Sequence, residues 1–285
     1  MPSQNWASMI AFLSNKGSAS NPQFWPDYWK TVTPQLNTRY VPEYAILTER
    51  LRPTDRILDI GCGRGELVRE LLRKGYRARG IDFDADSILD SVKHHGYFPS
   101  EIGDLNHLPY KENSFDVVLL AGTIEHVYAG PLTGFSEAYR VLRPGGFLVL
   151  TIPYINFIRK LLFSFYFCRD AVMSKFPNER ERRFFQWVFT CSEVKRILAA
   201  TRFSVCEWRR AYYTTVLRKI PGAAALTELV FGHRPPARLH GIKTDPSGAA
   251  PRASHGFKRV LKHVIEGTLN MIIPNRLIVV ARKPS

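Results

Sequence analysis

The strongest chemical signal in this 285-residue chain lies in one short stretch. Ile57-Leu58-Asp59-Ile60-Gly61-Cys62-Gly63-Arg64-Gly65-Glu66 is an apolar run ending at an acid, then a loop with glycine at every second position. Leu67-Val68-Arg69-Glu70-Leu71-Leu72 follows with helical spacing, so the segment predicts strand, tight turn, helix. Glycines let a backbone approach a ligand where a side chain would collide. The helix start adds N–H groups without intrahelical partners. The spacing bears on the ligand. A dinucleotide fingerprint is G-x-G-x-x-G, whereas Gly61, Gly63 and Gly65 make G-x-G-x-G. Further on, Arg77-Ala78-Arg79-Gly80-Ile81-Asp82 reads as a strand ending in a carboxylate, 17 residues beyond Gly65. A carboxylate there can accept from two neighbouring ribose hydroxyls. Taken alone, this feature fits a nicotinamide dinucleotide equally well.

The next motifs separate the two. Glu101-Ile102-Gly103-Asp104-Leu105 precedes Leu108-Pro109-Tyr110, and Asn113-Ser114-Phe115-Asp116-Val117-Val118-Leu119-Leu120 reads as a buried strand. Ile124-Glu125-His126-Val127 follows, then Arg140-Val141-Leu142-Arg143-Pro144-Gly145-Gly146 and the apolar run Phe147 to Pro153. In this order, D-x-G-x-G-x-G, G-D-x-x-x-L-P, S-F-D-V-V, E-H-V and R-V-L-R-P-G-G resemble the class I S-adenosylmethionine (SAM) methyltransferases. The branch resembled includes the ubiquinone and menaquinone enzymes, and residues 40–153 carry the likeness. It implies an α/β fold with a Rossmann-like seven-stranded sheet, mostly parallel with an antiparallel last strand, plus helical insertions. It implies SAM as cofactor and a cofactor site at Asp59, Gly61, Cys62, Gly63, Gly65, Asp82, Phe83, Asp104, Leu105 and Gly122. Gly61 and Gly63 would lie against the methionine part, Asp82 on the ribose and Asp104 on the adenine amino group.

Methyl transfer from a sulfonium is an in-line displacement, so the protein mainly orients and desolvates the reactants. A hydroxyl acceptor also needs a base of near-neutral pKa. His126 follows the fourth core strand, at the carboxyl edge where open α/β sheets bind ligands, and is the candidate catalytic base. Its alternative role is packing against the substrate. Glu125 beside it would bond the cofactor or orient a loop. The quinone-type O-methyltransferases carry a carboxylate three residues before the Glu-His pair. Here that position is Gly122, so no metal site is expected.

The elements that must position these residues follow from the pattern. Strands are expected at 55–60, 77–82, 97–102, 115–120 and 146–152, alternating with helices, with two late strands at 203–210 and 275–282. Such alternation means a parallel sheet with right-handed crossovers, and the resemblance places the last strand antiparallel beside the fifth. Three parts are expected: an N-terminal segment or cap at 1–40, the cofactor-binding core at 41–153, and 154–285 as the rest of the same domain. Residues 1–20 are small and polar and are expected to be poorly ordered. Trp25, Tyr28 and Trp29 either cap the cofactor or pack on the sheet. Two insertions, 154–190 and 212–274, carry apolar helical patterns at 154–168 and 257–265 with interspersed Arg and Lys.

Charge is divided unevenly. Residues 151–285 hold 24 Lys/Arg and 8 Asp/Glu, whereas residues 1–150 hold 16 and 17. This asymmetry suggests an anionic partner, such as a phosphorylated or lipid-linked acceptor, an anionic membrane surface or nucleic acid; the alternative is a solvated basic face. Four dispersed cysteines without a C-x-x-C pair point to reduced thiols. With no secretory signal or spanning run evident, a cytoplasmic protein is expected, with the inner membrane face as a second station. Three function classes stay open. The first is a methyltransferase acting on a small-molecule, glycan or lipid-linked acceptor, by O-methylation. The others are an RNA or nucleic-acid methyltransferase and a non-catalytic SAM-binding protein. Within the first class, the 154–168 pattern and Arg182-Arg183-Phe184-Phe185-Gln186-Trp187-Val188-Phe189 are loosely similar to methyltransferases of bacterial cell-envelope glycan clusters.

Overall fold

Strands buried on both faces read as near-continuous apolar runs, and three such runs build the centre of this protein. In the computed structural model, β2 (Arg56–Ile60) is buried at every residue after Arg56. β5 (Phe115–Ala121) and β6 (Leu142–Pro153) pair beside it in parallel. The structure describes residues 10–13, 19, 24–31, 41–155, 184–211 and 276–285. Seven strands form one sheet in the order β4 (Ser100–Ile102), β3 (Arg77–Asp82), β2, β5, β6, β9 (Arg276–Arg282), β8 (Ser204–Ala211). Only β9 runs against the others, between β6 and β8. The expected sheet is therefore present, with the antiparallel last strand beside the expected neighbour.

Helices cover both faces. α2 (Val41–Thr48), α3 (Glu66–Arg73) and α4 (Ala85–His95) pack on one side, where Leu47, Val68 and Leu71 join Ile57, Leu119 and Ile278. α5 (Leu132–Val141) and α6 (Cys191–Ala200) pack on the other, around Phe135, Leu120, Leu150 and Leu198. Each fully buried Leu, Ile or Phe side chain contributes about 1.5–3 kcal/mol. The helix ends follow their residues. The Asp84 carboxylate accepts from Ser87 N–H at the start of α4, and Thr190 with Glu193 forms a reciprocal capping box on α6.

Three expectations need correction. Residues 10–13 are not a loose terminus: Ile10–Leu13 forms β1, antiparallel to β7 (Phe184–Val188). A little downstream, Ala19 donates its N–H to the Phe184 carbonyl. The free edge of β7 satisfies the backbone groups of an apolar run that is too short to stand alone. The fifth core strand begins at Leu142 rather than 146, because Leu142 already pairs with Phe115 across an irregularity in the ladder. The helical pattern at 154–168 does not begin at Tyr154, which bridges Phe189, while Ile155 N–H bonds the Phe189 carbonyl. The remainder of that pattern, and the one at 257–265, lie outside the described residues.

The chain leaves β2 toward β3 and β4, then returns to β5 and β6 on β2's other side. Ligands in open α/β sheets bind at such a switch point, beyond the carboxyl ends of the strands. The antiparallel β9 delivers its first residue, Arg276, to that same edge opposite Pro153.

Candidate functional site

A cavity of about 550 Å³ opens at this switch point, within the range of pre-formed small-molecule sites. One wall comes from the ends of β2 and β3 and the segment after β4: Ile60, Gly61, Ile81, Asp82, Phe83 and Gly103 to Asn106. The other comes from α1 (Phe24–Thr31), which contributes Trp25 and Trp29, and from residues 121–129, which include the single-turn helix Ile124–His126.

The glycine loop is shaped by its neighbours. Gly61, Gly63 and Gly65 all have positive φ, at 75°, 52° and 70°, where a side chain is strained. A Cβ at Gly61 would lie 2.1 Å from Thr123, and one at Gly65 2.1 Å from Phe98. At Gly63 a Cβ would meet the Trp29 indole at 2.9 Å, so α1 lies directly over the loop. The Asp82 carboxylate holds the loop from below, accepting from Gly63 N–H (2.7 Å) and Asp84 N–H (2.9 Å).

Burial pushes the Asp82 carboxyl up to about 6, against the pull of these backbone donors. Asp59, deeper on β2, is pushed up to about 7 by burial and by the negative charges of Asp82 and Glu43. Burial likewise pushes the Cys62 thiol up, and the Cys62 side chain packs against Gly80.

Of the residues expected at the cofactor, Gly61, Asp82, Phe83, Asp104, Leu105 and Gly122 line the cavity, and so does His126. Asp59, Cys62, Gly63 and Gly65 do not line it; they sit in or beneath the loop that shapes it. Asp104 accepts from the Asn106 backbone N–H at 2.8 Å, which fixes its turn. Trp25 and Trp29 settle as parts of the cavity wall; the Tyr28 side chain lies outside the described residues.

His126 is gripped from two sides. Its ring meets Trp25 edge-to-face at 4.8 Å and Phe185 at 5.0 Å. Nδ1 lies 2.6 Å from the Phe185 carbonyl oxygen. A carbonyl only accepts, so Nδ1 carries the hydrogen and Nε2 is the basic nitrogen. Trp187 pins the same segment by donating Nε1–H to the Val127 carbonyl at 2.9 Å. Nothing in the local motif at 124–127 signalled Phe185, Trp187 or Thr123; they reach the site through tertiary packing. The apolar, aromatic composition of 184–189 was the one available hint.

The chemistry of the donor set fits an adenosyl cofactor. Two carboxylates, Asp82 and Asp104, stand among apolar lining side chains such as Ile60, Ile81, Phe83 and Leu105, a set of acceptors and flat apolar surface that hydroxyl, amino and ring groups complement. Among the described residues no cluster of His, Cys, Asp or Glu could hold a metal ion.

Residues 58–150 match the family model described as a methyltransferase domain. Over 99 residues the chain is 32% identical to a demethylmenaquinone methyltransferase of Streptomyces avermitilis, covering 35% of this chain and 42% of that protein. Over 139 residues it is 27% identical to a ubiquinone/menaquinone biosynthesis C-methyltransferase of Geotalea daltonii, covering 44% and 58%. The chain thus spans about half the length of these curated relatives. A solved SAM-dependent methyltransferase from Methanosarcina mazei superposes with a TM-score of 0.54 at 19% identity, over 85% of this chain and 98% of that one. At that identity the likeness speaks for the fold. No described helix is long and apolar enough to cross a membrane.

Proposed function

We propose that this chain is a SAM-dependent methyltransferase that methylates a hydroxyl of a small-molecule acceptor. The observation that carries the reading is His126, its hydrogen held on Nδ1 by Phe185, in the wall of the cavity that also holds Asp82 and Asp104. When bound, SAM supplies a methyl group already activated for displacement. Asp82 would accept from the ribose hydroxyls and Asp104 from the adenine amino group, with Phe83 and Leu105 against the ring. Trp25 and Trp29 would close over the reactants and keep water out. His126 Nε2 would take the proton of the acceptor hydroxyl and then release it to solvent.

The lining also favours an uncharged acceptor. Its described residues include two carboxylates and no Lys or Arg. The lipid-linked acceptor and the anionic membrane surface rest on the 154–168 and 257–265 patterns, which lie outside the described residues apart from Tyr154 and Ile155. The one relative named as a C-methyltransferase favours a second reading, methylation at carbon, in which His126 would do the same proton work.

The test is a screen of radiolabelled SAM against fractionated metabolite and lipid extracts. The reading expects a labelled small product whose formation requires His126. SAM binding without transfer to any fraction would favour the non-catalytic class, and label entering RNA would favour the nucleic-acid class.

A further inference from the structure

The acid next to His126 draws its counter-ion from the far end of the chain. Glu125 is fully buried. Among the described residues, the cation paired with it is Arg276, whose Nη1 lies 3.6 Å from Glu125 Oε1. Arg276 reaches this edge because it opens β9, the strand that runs against the other described strands of the main sheet. Its guanidinium passes over Gly122, where a Cβ would stand 3.0 Å from Nη1. Gly122 also has a φ of 79°, so space and backbone conformation both call for glycine there. This accounts for a glycine where the resembled O-methyltransferases carry a carboxylate. A buried carboxylate without a counter-charge is strongly disfavoured, and it would also draw a proton onto a neighbouring imidazole.

We propose that Arg276 is a positioning residue for methyl transfer: through Glu125 it fixes the Ile124–His126 turn and keeps the His126 imidazole neutral and able to accept a proton. The inference rests on reading His126 as the base. Trp25 from α1 and Phe185 from β7 meet it edge-on and are uncharged. Tyr128 follows on the same segment, and Asp82 and Asp104 share the cavity. Glu125, Asp82 and Asp104 all favour the imidazolium. Arg276 is the cation that opposes them among the described residues packed on this turn.

The test uses purified full-length protein with isotope-labelled histidine, in wild type, R276M, R276K, E125Q and the double variant R276M/E125Q. The His126 ring is titrated by NMR, S-adenosylhomocysteine affinity is measured by calorimetry, and turnover is followed against pH. In R276M the ring should titrate at higher pH, in E125Q at lower pH, and in the double variant close to wild type. R276K should stay near wild type. Homocysteine-cofactor affinity should change by less than about threefold throughout, because neither residue lines the cavity, whereas turnover at pH 7 in R276M should fall about 10–100-fold through misplacement of the base. The acid limb of the rate profile should move with the titration. Should R276M not fold, the downward shift of E125Q beside the near-wild-type titration of R276K still decides. Identical His126 titration in all folded variants overturns the inference, even if H126A is inactive. Shifts as expected, with H126A fully active, would leave the coupling standing and remove the reading of His126 as base.

Discussion

The two walls of the cavity are built in different ways. The wall proposed for the cofactor comes from one continuous stretch, 60–106, at the ends of β2, β3 and β4, and carries Asp82 and Asp104. The opposite wall is assembled from α1 and residues 121–129 and backed by β7, the three segments being held by aromatic edge contacts and a few bonds to backbone carbonyls. One wall gains its precision from the sheet; the other depends on the agreement of its parts. On the proposed function, cofactor recognition is separated from acceptor handling, and substitutions should divide the same way.

The largest expected effect is on the aromatic wall. H126A should lower turnover by about 10²–10⁴-fold while SAM affinity stays nearly constant. Steady-state kinetics beside calorimetry checks this, and a parallel loss of affinity would join the two walls. Next, G63V should abolish cofactor binding with the circular dichroism spectrum retained. The substitution strains a positive-φ residue and pushes the Trp29 indole off the loop; wild-type affinity would remove Gly63 from the cradle. D82N should weaken S-adenosylhomocysteine by about 10–150-fold, the usual worth of hydrogen bonds to a charged acceptor, without a comparable fall in turnover at saturation.

The comparison also explains what the amino-acid pattern disclosed. D-x-G-x-G-x-G, Asp82 and Gly103-Asp104 encode local strand-turn-helix units whose chemistry and geometry coincide, so their side of the cavity was legible. His126 was legible as a candidate from its place after a strand. Its partners were not, because Phe185 and Trp187 reach it by tertiary packing that no local periodicity reports. β1 was missed because four apolar residues in a polar terminus become a strand only when β7 offers an edge. Arg276 was simply the first basic residue of a strand until the sheet order placed it beside Glu125. The early start of β6 was hidden by Arg143-Pro144-Gly145-Gly146, which reads as a turn, although β6 already pairs with β5 at Leu142.

The smallest expected effect lies beneath the cofactor wall. Asp59 is held up at about 7. A carboxyl raised in the folded state is harmless below its ordinary range and costs stability as pH rises through about 7. D59N should therefore raise the melting temperature at pH 8 by about 2–4 °C for each ~1 kcal/mol relieved. At pH 5, where the wild-type group is already largely neutral, the gain should shrink. Equal gains at both pH values would mean that Asp59 is not a buried charge.

The most direct test needs no acceptor: calorimetric titration of wild type and D82N with SAM, S-adenosylhomocysteine and NAD. We expect one-to-one binding of SAM and S-adenosylhomocysteine to wild type, clear weakening of both in D82N, and no heat from NAD. Binding of NAD without SAM, or SAM affinity indifferent to Asp82, would contradict the assignment of this wall.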